Sequence, residues 1–226
     1  MKKSFFLSLT LGVLFLSSCF KAPKPDPVGD AYVKAVNTVK GSNSQEFYLN
    51  GTKRNAAAIP YGEATPYITV SSGSSQFAFA DAGTVSGTAN AATQLVGVPI
   101  GVYATTFYIK VKNQTTLEES LMATIINDDM KPSLVAGKAK VRFIHLNYLL
   151  NNSISVMSGT SSLLTGIPFG SASSYIDVDP GTKFTFKATD VTTSPEIGGN
   201  FLANKNYTIW VDGASATELT GHIIAQ

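Results

Sequence analysis

The feature that most constrains this chain is a repeat. Residues 59–73 read IPYGEATPYITVSSG and residues 167–181 read IPFGSASSYIDVDPG, an offset of 108 residues. Eight of the 15 positions are identical, and a ninth exchanges Tyr61 for Phe169. A stretch written twice at this distance implies two copies of one unit of roughly a hundred residues, a size at which a β-sandwich folds unaided.

The pattern around each copy is that of short strands. Ile68 and Val70 alternate with Tyr67 and Thr69, as Ile176 and Val178 alternate with Tyr175 and Asp177. Period-two alternation marks a strand with one buried face. Residues 31–38 (AYVKAVNT) and 139–146 (AKVRFIHL) read as first strands, with Lys34 and Arg142 at matching places. Second strands follow at 45–50 and 153–158, each ending before a turn glycine, Gly51 or Gly159. Asp179-Pro180-Gly181-Thr182 fits a type II turn, in which proline presets φ and glycine supplies the positive φ after it. The strand leaving that turn points Phe184 and Phe186 inward, and Phe77 and Phe79 answer in the first unit. Later strands pair off as 107–111 with 207–211, and the closing strands as 121–127 with 219–226. No stretch has helical periodicity. The expectation is an all-β chain of two antiparallel β-sandwich repeats in tandem, immunoglobulin-like or transthyretin-like, at 31–127 and 139–226. Residues 128–138 (DDMKPSLVAGK) join them as a short linker. The units differ most at the Gly/Ala/Thr-rich segment 81–100, read as a long loop in the first unit only.

Residues 1–18 have a basic start (Lys2, Lys3) and an apolar run too short to span a bilayer, which suits a signal peptide. Leu16-Ser17-Ser18-Cys19 has the form of a bacterial lipobox, in which the cysteine is acylated and becomes the mature N-terminus. Cys19 is the sole cysteine, so the mature chain is expected to hold no disulfide and no thiolate metal site. Residues 19–30 carry Pro23, Pro25 and Pro27 at every second position, a composition that favours an extended tether. Phe20 after the cysteine favours outer-membrane sorting, on the cell surface or the periplasmic face.

Charged residues make up 14% of the chain, against about 25% in an ordinary soluble protein. The formal charge of +2 is contributed by Lys2 and Lys3, and no basic run occurs, which argues against nucleic acid as a partner.

The sequence nominates little chemistry. His145 ends a first strand where the other unit has Asn37, and either side chain can bond to backbone there. His222 lies in the closing strand. Two histidines without an acidic or thiol cluster do not make a zinc site. Asp177 and Asp179, with Asp190, are the only group that could be imagined around calcium, and a solvated strand end is the simpler reading. Asp128 and Asp129 read as solvated linker acids. No hydrolase elbow, metalloprotease helix or phosphate loop occurs. No cofactor or metal is expected, and the chain is not expected to be an enzyme. Positions kept in both copies are those of turns and core. The exceptions are Tyr67 and Tyr175, which alternation turns away from the core, and Trp210, where the other unit has Lys110. Exposed aromatics stack on sugars or anchor protein contacts, although the same rings could instead pack between the units.

GKAKVRFIHLN at 137–147, IPFGSASSYIDVDPGTKFTF at 167–186 and NYTIWVDG at 206–213 resemble domain-of-unknown-function family 4397. The resemblance spans nearly all of the mature chain, more closely in the second unit. It implies β-sandwich repeats on an exported, lipid-anchored protein, since the family is common in lipoproteins of Bacteroidetes-type bacteria. It brings no catalytic residues. Many members carry an acidic or proline-bearing turn after the first strand, where this chain has Tyr148-Leu-Leu-Asn-Asn152. The expected role is binding, adhesion or structure at the cell envelope, through a glycan or an envelope protein. A glycan-uptake lipoprotein and a fimbrial-type subunit are the alternatives.

Overall fold

The computed structural model describes residues 27–84, 89–192 and 194–226. The leader, Cys19 and most of the tether lie outside the described residues. The described residues form eighteen strands and no helix.

In the first half these are β1 (Asp30–Asn37), β2 (Gln45–Leu49), β3 (Thr52–Lys53), β4 (Ile68–Ser71), β5 (Gly73–Ser75), β6 (Phe77–Asp81), β7 (Ala91–Ala92), β8 (Val96–Val98), β9 (Tyr103–Lys112) and β10 (Glu119–Asp128). In the second they are β11 (Ala139–His145), β12 (Ile154–Ser158), β13 (Ser161–Ile167), β14 (Ile176–Val178), β15 (Lys183–Lys187), β16 (Ile197–Gly198), β17 (Asn206–Asp212) and β18 (Thr220–Ala225). The segment 81–100 is not a bare loop: β7 pairs with β6 and β8 with β5.

Strand order repeats between the halves. One sheet runs β10-β9-β1-β4 and its counterpart β18-β17-β11-β14; the others run β3-β2-β6-β7 and β13-β12-β15-β16. Register repeats too, with Ala31 opposite Val70 and Ala139 opposite Val178. Most pairings are antiparallel, but β1 with β9 and β11 with β17 are parallel. Strands in such pairs are commonly buried on both faces, and β17 is buried along its whole length.

The duplicated stretch is a corner that leads into a strand, β4 in the first copy and β14 in the second. Its first part turns the chain from one sheet toward the other: the Glu63 N–H donates to Pro60 O at 3.1 Å and the Ser171 N–H to Pro168 O at 3.2 Å. Gly62 and Gly170 hold φ of 87° and 75° there, the left-handed conformation that a type II turn needs at its third position. The turn then borders the strand it left: Gly62 N–H donates to Asn37 O and Gly170 N–H to His145 O. Thr65 Oγ accepts from the Ala35 N–H and Ser173 Oγ from the Phe143 N–H, both at 3.0 Å. Those bonds explain why glycine, proline and a small hydroxyl recur in both copies. The Asp179 turn does close, with the Thr182 N–H donating to Asp179 O at 2.9 Å, but Gly181 does not take a positive φ. It is therefore not the expected type II turn. Asp at the first place and Pro at the second suit type I equally well.

Each half has its own core. Phe47, Phe77, Phe79 and Tyr108 pack in the first with Val33 and Val70. Phe143, Phe184, Phe186, Phe201 and Tyr207 pack in the second. A third apolar cluster lies between the halves, where the outward faces of β1 and β9 meet those of β11, β17 and β18 through Val36, Phe107, Ile109, Ile144, Leu146, Trp210 and Ile224.

Candidate functional site

That seam is where the outward aromatics reside, for which the sequence left ligand contact and packing between the units both open. Trp210 is 0% exposed, its ring stacked on His222 at 3.9 Å and met edge-on by Tyr61 at 6.0 Å. Tyr67 and Tyr175 lie at the same seam, each half-buried. Alternation placed these rings correctly, away from their own core. The face they point to is covered by the other half, so they pack between the units and offer no open platform.

Around the tyrosines the seam is polar and nearly two-fold symmetric. Asp128, expected to be solvated, has a fully buried side chain, and Arg142 is 3% exposed. The Arg142 guanidinium pairs with Asp128, donates to Asn127 O at 2.6 Å and to Thr208 Oγ at 2.9 Å. Asp128 also accepts from Tyr67 at 2.8 Å and from Thr105 at 2.6 Å. The counterpart of Arg142, Lys34, donates to Ala225 O and lies over the Tyr67 ring at 4.4 Å. Gln226 fills the place matching Asp128, its amide donating to Thr208 Oγ at 2.6 Å. Burial lowers the Lys34 ammonium below the usual lysine range, against a weaker pull from Asp128. Burial, and then the Asp128 charge, pushes the Tyr67 hydroxyl far above the phenol range. Every charge here already has its protein partner, so the network locks two halves together and offers no reactive group.

At the opposite end of the seam Tyr61 donates to Asp212 at 2.5 Å, and His222 Nε2 lies 3.1 Å from Asp212 and 3.2 Å from the Tyr61 oxygen. The stack on Trp210 fixes the imidazole plane.

His145 and Asn37 do the same work. Asn37 Oδ1 accepts from the Val39 N–H, two residues on, and its amide donates to Asn43 O and Ile59 O. His145 Nδ1 accepts from the Asn147 N–H, also two residues on, and Nε2 reaches Asn152 O at 3.2 Å. That pair fixes the neutral tautomer with its proton on Nε2. Burial drives the imidazole down to about 4, only partly opposed by the Asn152 carbonyl.

Among the described residues no group of three His, Cys, Asp or Glu side chains is placed to hold a metal ion. Asp179 pairs with Lys138 at 2.7 Å.

Two hollows of similar size on the first half stand out. One, of about 490 Å³, is apolar and lies against residues 54–68. It exists because the chain leaves the edge of β2 after β3: the Asn55 side chain takes over the Phe47 N–H at 2.8 Å. In the second half β13 runs seven residues along the corresponding edge.

The other, also about 490 Å³, is polar and sits where β1 and β6 end and β10 begins. Lys40, Ser42, Asn43, Asp81, Asn90, Lys110 and Glu119 line it, over the buried Tyr108 ring. Asp81 is its centre. It accepts amide N–H bonds from Asn90 at 2.6 Å, Gln45 at 2.8 Å and Asn43 at 2.9 Å, which hold its carboxyl below the usual range. Lys110 pairs with Glu119 on the opposite wall. Sequence reasoning missed this cleft, although Asp81 and Asn90 both belong to segment 81–100, in which the two halves differ most.

No curated protein matches the chain in sequence. The profile of a domain of unknown function (DUF4397) matches residues 31–152, which is the first half together with β11. The resembling stretch at 137–147 falls inside that match, and those at 167–186 and 206–213 fall beyond it. The match takes in more than half of the chain, and the protein therefore belongs to the DUF4397 family.

Proposed function

We propose that this is a lipid-anchored, non-catalytic binding protein of the cell envelope. It is built of two immunoglobulin-like sandwiches in tandem, with its ligand taken up in the polar cleft of the first. The observation that carries the reading is the composition of that cleft. Amide, ammonium, hydroxyl and carboxylate groups converge on one concavity, which is how sites select orientation and specificity. Its two acids are both engaged, Asp81 by three amides and Glu119 by Lys110. A general acid or base needs a free proton-transfer partner in reach of substrate, so the cleft favours binding over turnover.

Alternating donors and acceptors over a buried aromatic ring suit a hydroxyl-rich ligand, which favours a saccharide over an apolar peptide. Isothermal calorimetry against a glycan panel tests this. A binding glycan should be held about tenfold less tightly by Asn43→Ala, the loss of roughly one or two hydrogen bonds. Heat from no glycan in a broad panel, or binding untouched by Asn43→Ala and Lys40→Ala alike, would sink the proposal. Tryptophan fluorescence is the wrong readout, because Trp210 is sealed in the seam.

A further inference from the structure

We propose that the end of the molecule at which β1 and β11 begin rests directly on a lipid surface, its exposed aliphatic side chains entering the interface. The proposal rests on the lipid-anchored reading and extends it from a tether to a docked orientation.

The two halves stand side by side with their first strands pointing the same way. Lys34 and Arg142, each in the middle of its strand, reach Ala225 and Asp128, the last residues of β18 and β10, which pair beside the starts of β17 and β9. At the far end Tyr61 meets Asp212, Lys40 lies 3.9 Å from Glu218, and Lys110 sits over the Tyr148 ring at 4.9 Å. The starts of both halves thus share one end of the molecule, and the polar cleft occupies the other.

The shared end is unusually apolar. Of the eleven large hydrophobic side chains that are exposed among the described residues, Val28, Leu95, Ile100, Leu134, Val135 and Leu202 are found there. Leu134 is fully exposed, and Val28 and Leu95 are more than two thirds exposed. Backbone bonds tie their segments to the strand starts: Gly101 to Asp30, Asn204 to Lys138 and Lys205 to Leu202. Apolar side chains grouped on one face usually mark a contact with another phase or protein.

The reach of the chain favours lipid as the occupant. Eight residue steps separate Cys19 from Pro27. Fully extended they span at most about 29 Å. An acylated Cys19 therefore holds Pro27, at this end, within that distance of the headgroups. Charge adds little. Lys131 and Lys205 are exposed without an ion pair among the described residues, and Asp30 is exposed nearby. A near-neutral, aliphatic face should enter a zwitterionic interface, to the shallow depth that peripheral anchors reach.

The test uses the acylated full chain in phosphatidylcholine vesicles with brominated acyl chains, which quench tryptophan at close range. Trp210, buried in the seam, supplies a constant background. Leu134→Trp places a reporter at the apolar end, and Leu117→Trp places one on the exposed β9–β10 turn at the far end. The expected result is loss of about half or more of the added fluorescence for Leu134→Trp and none for Leu117→Trp. Equal quenching at both sites, quenching at Leu117→Trp alone, or none at either overturns the docked orientation. Acyl labelling of Cys19 on the same sample separates the two readings. Labelled Cys19 with an unquenched Leu134→Trp refutes docking alone, and a quenched Leu134→Trp with unlabelled Cys19 refutes the anchor and leaves the docked face standing.

Discussion

Replacing His145 with asparagine should abolish an acid sensitivity that the rest of the fold does not share. His145 is 0% exposed, and its Nδ1 lone pair is occupied by the Asn147 N–H. Protonation would bury a charge, which is why the folded imidazole sits at about 4 rather than at its ordinary value of 6.5, and it would also break the Nδ1 bond. The sign follows. Above 6.5 the group is neutral in both states and stability is unaffected. As pH falls through 6.5 the unfolded chain takes up a proton that the folded chain refuses, so stability is lost until about pH 4. Linkage with those two values gives a loss of roughly 2 kcal/mol by pH 5 and roughly 3 kcal/mol by pH 4. Between pH 7.5 and 5.0 the depressed carboxylates contribute little to the change: Asp81 and Asp129 lose their contributions only as pH falls below about 3.8, and Glu46 below about 4.5. Asn37 shows that asparagine satisfies the same two backbone bonds, so His145→Asn should fold. Urea denaturation at pH 7.5 and pH 5.0 is the assay. The parent should lose about 2 kcal/mol more than His145→Asn between the two values. His222 is present in both proteins and cancels. Parallel losses in parent and variant would refute the assignment of the acid sensitivity to His145.

Three further outcomes are expected. Asp128→Ala leaves Arg142 buried without its counter-charge and should cost about 3–5 kcal/mol, read by denaturant unfolding; a loss below about 1 kcal/mol would mean that the seam does not hold the halves together. Trp210→Ala should cost about 3–5 kcal/mol by emptying the apolar middle of the seam. Trp210→Phe should cost much less, because the indole Nε1 it removes has no hydrogen-bond partner among the described residues. Cys19→Ala should abolish acyl labelling in cells and release the protein from the membrane fraction, and a variant labelled as strongly as the parent would exclude Cys19 as the anchor.

Much of the fold was legible because it is encoded locally. Turn residues and period-two alternation located β1, β2, β11 and β12 to within a residue or so, and placed Phe77, Phe79, Phe184 and Phe186 in the cores. The corner at Pro60 and Pro168 was visible as a repeat but not as a turn. Its meaning lies in bonds to Asn37 and His145, more than twenty residues away. The cleft around Asp81 stayed hidden for the same reason: Asn43, Asp81 and Asn90 come from three separated segments, and nothing in their local sequence says that they meet.

What the outward aromatics meet was not legible for a different reason, and it bears on what this fold can do. Alternation reports which side of a strand faces its own core; it is silent on what the other side meets. The signal was nevertheless present in composition. The first strands read AYVKAVN and AKVRFIH and a later strand reads NYTIWVD, each carrying apolar residues on both faces, as strands covered on both sides do. The one long cation on the outward side of each first strand, Lys34 or Arg142, sits where the opposite half supplies Ala225 O or where Asp128 closes the linker end. With the outward faces of β1 and β11 consumed by the seam, recognition falls to the two ends and to the apolar hollow beside residues 54–68. One end is polar and concave, the other aliphatic and tied to the tether. On the proposed function, a ligand and a membrane are then met at the same time, each by the end whose chemistry suits it.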